Sequence, residues 1–239
     1  MKILLAPAET KLDGGYFLPL KQNIFAYAHE VIGAYETYVL NSSIEELSVW
    51  FGLKKIQEVK KYKRSILNLP TMKAIKRYVG VAFEAIDYTS LDDDAKKYID
   101  ENVMIFSNLF GILRADDLIP DYKWKQGAIL PNLNTEKFYK EFLKEKLDEY
   151  LGEEILDLAP TYYQKFYKPI SNVIRYKFLK DGKVVSHWAK HYRGKMVREI
   201  AKNNIKNFKE LMDFKFEGLL LYEIQQKKNI KTIIMNIED

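Results

Sequence analysis

Three short apolar runs set far apart constrain this chain most. "KILLAPA" begins at residue 2, "NVMIFSNLFGIL" at residue 102 and "EEILDLAP" at residue 153. Each has the length of one buried strand, and the second is expected to continue into a short helix. Around them, apolar residues recur at three- and four-residue spacing, which is a helical period. The C-terminal part changes texture. "NVIRYKFLKDGKVVSHW" reads as a hairpin turning at Asp181-Gly182, with His187 at its strand end, and "GLLLYEIQQKKNIKTIIMNI" reads as a second hairpin. Strands that come singly between helices, then in hairpins, point to a mixed α/β fold: a central mixed sheet with surrounding helices.

Residues 20–100 read as a helical insertion in pieces. "QNIFAYAHEVIGAYETYVLN" is one helix, and "SIEELSVWFGLKKIQEVKKYKR" is two with Gly52 between them. Ser43 with Glu46 three residues on forms a capping box. "TMKAIKRYVGVAFEAIDY" is a further helix, and Asp92, Asp93 and Asp94 suit the start of another. Downstream, "TEKFYKEFLKEKLDEYLG" is amphipathic and stops at Gly152, and "KNFKELMDF" gives a last short helix. With 11 Gly and 7 Pro, sharp turns are few, which favours helices over a many-stranded barrel. No internal repeat or low-complexity linker divides the chain, so residues 1–239 are expected to form a single domain.

Charge and residue usage narrow the function. Thirty-eight Lys and Arg face 33 Asp and Glu, a net +5 that tilts towards polyanion partners. There is no Cys, which excludes disulfides, thiolate metal sites and a peroxidatic thiol. Nothing resembles a signal peptide and no apolar run would span a bilayer, so a cytoplasmic protein without membrane contact is expected. The three His give no metal site, since His187 and His191 stand among cations. No cofactor is implied.

"HWAKHYRGKMVREI", from His187 to Ile200, reads as a helix with Gly194 inside it. On a helical wheel His191, Lys195, Arg198 and Lys202 form one basic stripe, an ordinary solvated face. Lys190 and Arg193 instead fall within the apolar arc beside Ala189, Gly194, Val197 and Ala201. Each therefore needs an anion, either a carboxylate of the chain or a ligand such as phosphate. Gly194 costs on the order of 1 kcal/mol of helix stability relative to Ala, so a close approach of backbone or ligand is expected there.

Together with four other segments, this stretch resembles the YaaA family, the bacterial peroxide stress proteins. The segments are "APAET", "EAIDYTSL", "FSNLFGILRADDLIPDYKWKQG", "DLAPTYY" and "AKHYRGKMVREI", in the family's order and spacing along nearly the whole chain. Ser107, Leu109, Gly111, Leu113, Arg114, Asp117, Tyr122 and Gly127 match in the third, and Ala189, Lys190, Arg193, Gly194, Met196 and Arg198 in the fifth. The chain departs from the pattern at Ala6 and Glu9, where the family has Ser and Lys, and at Ala85-Ile86, where it has Gly-Asp. It departs again at Lys125 and Tyr162, where the family has Glu. The resemblance implies a mixed α/β fold with a helix-hairpin-helix motif and DNA binding without strong sequence preference. It also implies a role in limiting oxidative damage, linked to lowering free intracellular iron.

The candidate helix-hairpin-helix motif is Phe51-Gly52-Leu53, with Lys54 and Lys55 opening the second helix and Lys61 among the cations further along. Such a motif grips phosphates, so Gly52, Leu53, Lys54, Lys55 and Lys61 are the expected DNA contacts. A rival reading takes Arg114, Asp117, Tyr122, Lys190, Arg193, Gly194 and Arg198 as the lining of a pocket for a nucleotide or phosphorylated small molecule. No P-loop or nucleophile–base pair specifies a reaction, so no catalytic residue is assigned. The protein is expected to be a monomer whose partner is DNA, duplex or distorted, with a phosphate-bearing small molecule as the alternative.

Overall fold

The computed structural model describes residues 1–17, 19–20 and 28–238. It is a mixed α/β fold around an eight-stranded sheet. The strands are β1 (Lys2–Leu5), β2 (Val103–Ser107), β3 (Gly111–Arg114), β4 (Glu154–Asp157), β5 (Asn172–Lys180), β6 (Lys183–Val184), β7 (Leu219–Lys227) and β8 (Ile230–Ile237). The order across the sheet is β7-β8-β5-β4-β1-β2-β3, with β6 pairing β5. The inner strands β8, β5, β4, β1 and β2 are mutually parallel, while β3, β6 and β7 return antiparallel. All five residues of β2 are buried, as expected of a strand covered on both faces.

Among the described residues, eight helices of six or more residues surround the sheet. They are α1 (Ala28–Asn41), α2 (Ile44–Phe51), α3 (Ile56–Tyr62), α4 (Val81–Ile86), α5 (Asp93–Asn102), α6 (Thr135–Leu151), α7 (Ser186–Lys202) and α8 (Phe208–Asp213). The part of the first expected helix before Ala28 lies outside the described residues. The expected caps form. Ser43 and Glu46 make the capping box of α2, and the Asp92 carboxylate accepts from Ala95 N–H at 2.8 Å to start α5. At the β5–β6 turn Asp181 and Gly182 both take positive φ, 52° and 72°, the conformation a two-residue hairpin requires.

Three local expectations fail for identifiable reasons. "NVMIFSNLFGIL" does not run into a helix but doubles back as β2 and β3. The Ser107 hydroxyl accepts from Leu109 and Phe110 N–H, closing the turn, and Gly111 enters β3 at φ 74°. "TMKAIKRYVGVAFEAIDY" is not one helix. After a single turn at Ala74–Arg77, Tyr78–Val79 pair antiparallel with Thr10–Lys11, and helix resumes only at Val81. Its spaced apolar residues look helical, but strand pairing wins where the chain passes beside residues 10–11. Finally, His187 does not end the hairpin strand. It lies in the first turn of α7, because the antiparallel pairing stops at Val184.

The topology places a site. From β1 the chain goes to β2 on one side, then returns to β4 on the other. β1 is therefore the switch point of the parallel sheet, and ligand crevices in such sheets open at the carboxyl ends of the strands where the order reverses. Leu5, Ser107 and Asp157 end the three strands there.

Candidate functional site

A cleft of about 400 Å³ opens at that point. Residues 5–10 after β1 form its floor, and Leu158 and Pro160 after β4 form one side. Val79, Gly80 and the start of α4 form the other side, and Lys190 and Arg193 reach in from α7. A smaller recess of about 40 Å³ adjoins it through the shared residues Pro7, Ala8, Glu9, Gln126 and Tyr163. Lys11, Asn108, Tyr122 and Trp124 complete the recess.

The recess is built on a buried hydroxyl relay. Tyr122 Oη lies 2.9 Å from both Tyr78 Oη and Ser107 Oγ. Burial pushes the Tyr122 phenol up to about 12, so it stays a proton donor at neutral pH. Lys11 packs its ammonium over the Tyr122 ring, 4.0 Å from the centroid, and 5.2 Å from that of Tyr78. Among the described residues its hydrogen bonds, to the Ala8 and Glu9 carbonyls, are long at 3.4 and 3.5 Å. Burial, with Lys123 nearby, pulls the Lys11 pKa down to about 7. Asn108 Oδ1 is buried here with no hydrogen-bond partner among the described residues. Glu9, the residue that replaces the family's Lys, accepts from Gln126 N–H at 3.1 Å and faces Lys123 Nζ at 3.6 Å.

At the cleft wall Arg193 is half-buried, and its Nε is buried without a partner. The carboxylate that could have answered it is Asp157, the last residue of β4. Asp157 is already forked by Arg175, with Nε at 2.8 Å and Nη2 at 2.7 Å, and it also accepts from Ala159 N–H. Burial lowers the pKa of Arg193, and Asp157 only partly restores it. Lys190 stands exposed on the preceding turn of α7.

The seven residues expected to form one pocket thus separate. Lys190, Arg193 and Tyr122 meet at the cleft and recess. Gly194 does not face the cleft; a Cβ there would sit 2.1 Å from the Ala82 carbonyl oxygen, so it is the contact that lets α4 press against α7. Arg198 is not part of a solvated stripe. It donates to the Ile86 and Asp87 carbonyls and to Ser90 Oγ, each at 2.9 Å, and ties the end of α4 to α7. Lys195, in the same stripe, bonds Glu217 at 3.0 Å. The antiparallel return of β3 carries Arg114 to the opposite end of the sheet, level with Met104 near the start of β2. There its guanidinium pairs with Asp116 at 2.9 Å, and its N–H is accepted by Asp117 at 2.7 Å. Burial raises the Asp117 carboxyl to about 6.

The expected DNA contacts separate too. Gly52 takes the left-handed conformation, φ 67°, and closes α2, while Lys55 stands at the start of α3. Lys54 and Lys55 are exposed, the latter within 3.7 Å of Glu58. Lys61 instead turns inward to Asp13 at 3.0 Å and the buried Asp121 at 3.3 Å. Sequence reasoning passed over Lys11, Asn108, Tyr163, Asp157 and Arg175. A usable signal existed for Lys11: it lies two residues from Glu9 along extended chain, the spacing that returns a side chain to the same side. Among the described residues no group of three His, Asp or Glu is placed to hold a metal ion, and no helix is long and apolar enough to cross a membrane.

The fold is thus an α/β protein with a cleft at the switch point of its sheet, lined by Lys190 and Arg193 of α7. The sequence profile of the peroxide stress protein YaaA family matches residues 1–225, and the chain belongs to that family. An uncharacterized protein of Campylobacter jejuni is 44% identical over the full length of both chains. A UPF0246 protein of Finegoldia magna is 33% identical, covering 97% of this chain and 95% of its own. One from Corynebacterium glutamicum is 30% identical over 98% and 100%.

Proposed function

We propose that this protein serves the peroxide stress response by binding DNA through its phosphates, without strong sequence preference, at a helix-hairpin-helix-like turn over residues 52–55. In this reading it acts in the cytoplasm, and its role extends to limiting free intracellular iron. One observation carries the DNA contact. The exposed Lys54 and Lys55 flank a turn whose Gly52 lies against the stem of Lys125, while Trp124 and Gln126 on either side of Lys125 line the recess and cleft. The segment over residues 122–127 therefore runs from this turn to the cleft, and a phosphate backbone laid on the turn meets the exposed Lys54 and Lys55, the latter in place of its surface partner Glu58. Replacing Lys54 and Lys55 together by Glu should abolish duplex binding in a low-salt mobility shift. Replacing them by Gln should flatten the dependence of log K on log salt by about 1.8, the slope for two phosphates. Unchanged binding would reject this turn as the contact.

A second reading is favoured by the buried, unpartnered Nε of Arg193 at the cleft. It makes the cleft a site for a phosphorylated small molecule or nucleotide on which the protein acts enzymatically.

A further inference from the structure

We propose that the Lys11 side chain is an amine nucleophile that forms an imine with small aldehydes or ketones entering the recess. The anionic end of such a molecule is held by Lys190 and Arg193, and that part rests on the cleft reading above.

Lys11 is unlike the other lysines of the site. It is 8% exposed, makes no ion pair among the described residues, and its two hydrogen bonds are at the limit of length. The charged and titratable groups facing it are Lys123 and Arg77, which oppose its charge, and Asp121 and Glu9, which favour it. Tyr78 and Tyr122 present their ring faces to it. With burial the dominant influence, the amine titrates near pH 7. At physiological pH a large share is thus neutral, with its lone pair available, the condition that activates a lysine towards carbonyl carbon. An exposed lysine holds less than about one part in a thousand as free amine at the same pH.

The surroundings fit the chemistry. The recess, about 40 Å³, is the smaller of the two adjoining cavities and is the one Lys11 lines, so the carbonyl end of a small molecule belongs there. The remainder of the molecule falls into the 400 Å³ cleft, where Arg193 and Lys190 suit a phosphate or carboxylate. The buried Asn108 Oδ1, without a partner, can accept from a hydroxyl formed in the recess. The amine lone pair attacks the carbonyl carbon, forming a C–N bond, and the carbonyl oxygen gains the proton the nitrogen gives up. The resulting carbinolamine then loses water, made from that hydroxyl and the second nitrogen-bound hydrogen, and leaves C=N.

The full chain is incubated with glyceraldehyde 3-phosphate or with glyceraldehyde, reduced with borohydride and mapped by peptide mass. The expected result is labelling of Lys11 whose rate rises around pH 7, well below the rise for exposed lysines. Glyceraldehyde 3-phosphate should label at concentrations at least tenfold lower than glyceraldehyde, and Arg193→Gln should erase that advantage. Lys11→Arg should lose the label. Mapping of the wild-type chain decides the matter even if that variant folds poorly. Exposed lysines labelled with Lys11 untouched would overturn the imine. The cleft reading stands or falls separately on glycerol 3-phosphate, which has no carbonyl: calorimetric binding to the wild type that is lost in Arg193→Gln sustains it, and no binding rejects it. Labelling of Lys11 to the same extent by both aldehydes, and unaffected by Arg193→Gln, would uphold the nucleophile and overturn the anion clamp.

Discussion

Two buried cations lie within electrostatic reach of each other and are treated in opposite ways. Arg77, on the single helical turn Ala74–Arg77, is 0% exposed and pairs directly with no carboxylate among the described residues. Its guanidinium donates to the carbonyls of Leu12 at 2.5 Å, Gly14 at 2.8 Å, Pro70 at 3.1 Å and Ile119 at 3.2 Å. Three segments, at residues 12–14, 70 and 119, are thereby stitched to one planar group. Lys11 lies nearly as deep but holds only two long contacts to carbonyls and two ring faces. A buried cation costs free energy in either case. Where the chain answers it fully, the cation is architecture. Where the chain leaves it partly answered beside a cleft, the residue is available for chemistry.

The largest effect expected from this contrast is at Arg77. Arg77→Met keeps the length of the stem and strands four carbonyls, at about 1–3 kcal/mol for each buried acceptor that finds no other donor. Allowing for relaxation, a loss of about 3–5 kcal/mol is expected, a fall in melting temperature of about ten degrees for a chain of this size. Thermal unfolding measures it. A fall of a degree or two would mean that the carbonyls find other donors and that Arg77 does not stitch the fold.

Lys11→Met should act in the other direction and depend on pH. The folded pKa of about 7 lies below the ordinary lysine value of 10.5. Below pH 7 both states are protonated, and the cost of burying the ammonium is fully present in the fold. Between pH 7 and 10.5 the unfolded chain holds a proton that the folded one has released, so stability gained from this residue rises with pH. The variant escapes the cost. Its advantage over the wild type should be greatest at pH 6.5 and shrink by about 1.4 kcal/mol per unit from pH 7 upwards. Urea denaturation at pH 6.5, 8 and 9.5 reads this gap. A gap independent of pH would show that Lys11 titrates as an ordinary lysine.

The same contrast explains how much could be read from the sequence. The mixed sheet, the two hairpins, the break at Gly52 and the caps at Ser43 and Asp92 are local in origin, since each rests on a period or a turn residue within a few positions. The inward direction of Arg193 was also legible, because a helical wheel needs only the helix. What that wheel could not supply was its surroundings. Gly194 and Arg198 look like ligand residues by position, yet they serve the packing of α4 on α7, a contact between segments more than a hundred residues apart. Arg114 was misplaced because its strand returns antiparallel and carries it to the other end of the sheet. Lys11 was hidden because residues 10–11 pair with Tyr78–Val79, a partner that no periodicity in either stretch announces.

Arg193 gives the smallest expected effect on stability and the finest test of the contrast. If it is kept for a ligand, the fold should scarcely need it. Asp157, the carboxylate that acts on it, is held by the Arg175 fork and by Ala159 N–H, so Arg193→Leu leaves no stranded charge. The substitution gives up a partly screened attraction to Asp157 and removes a buried Nε that has no partner. These oppose each other, and a change within about 1 kcal/mol is expected in urea denaturation, with no loss of cooperativity. Binding of glycerol 3-phosphate should weaken at least tenfold in the same variant. A loss of stability close to that of Arg77→Met would place Arg193 with the architectural cations and remove the reason for assigning the cleft to an anion.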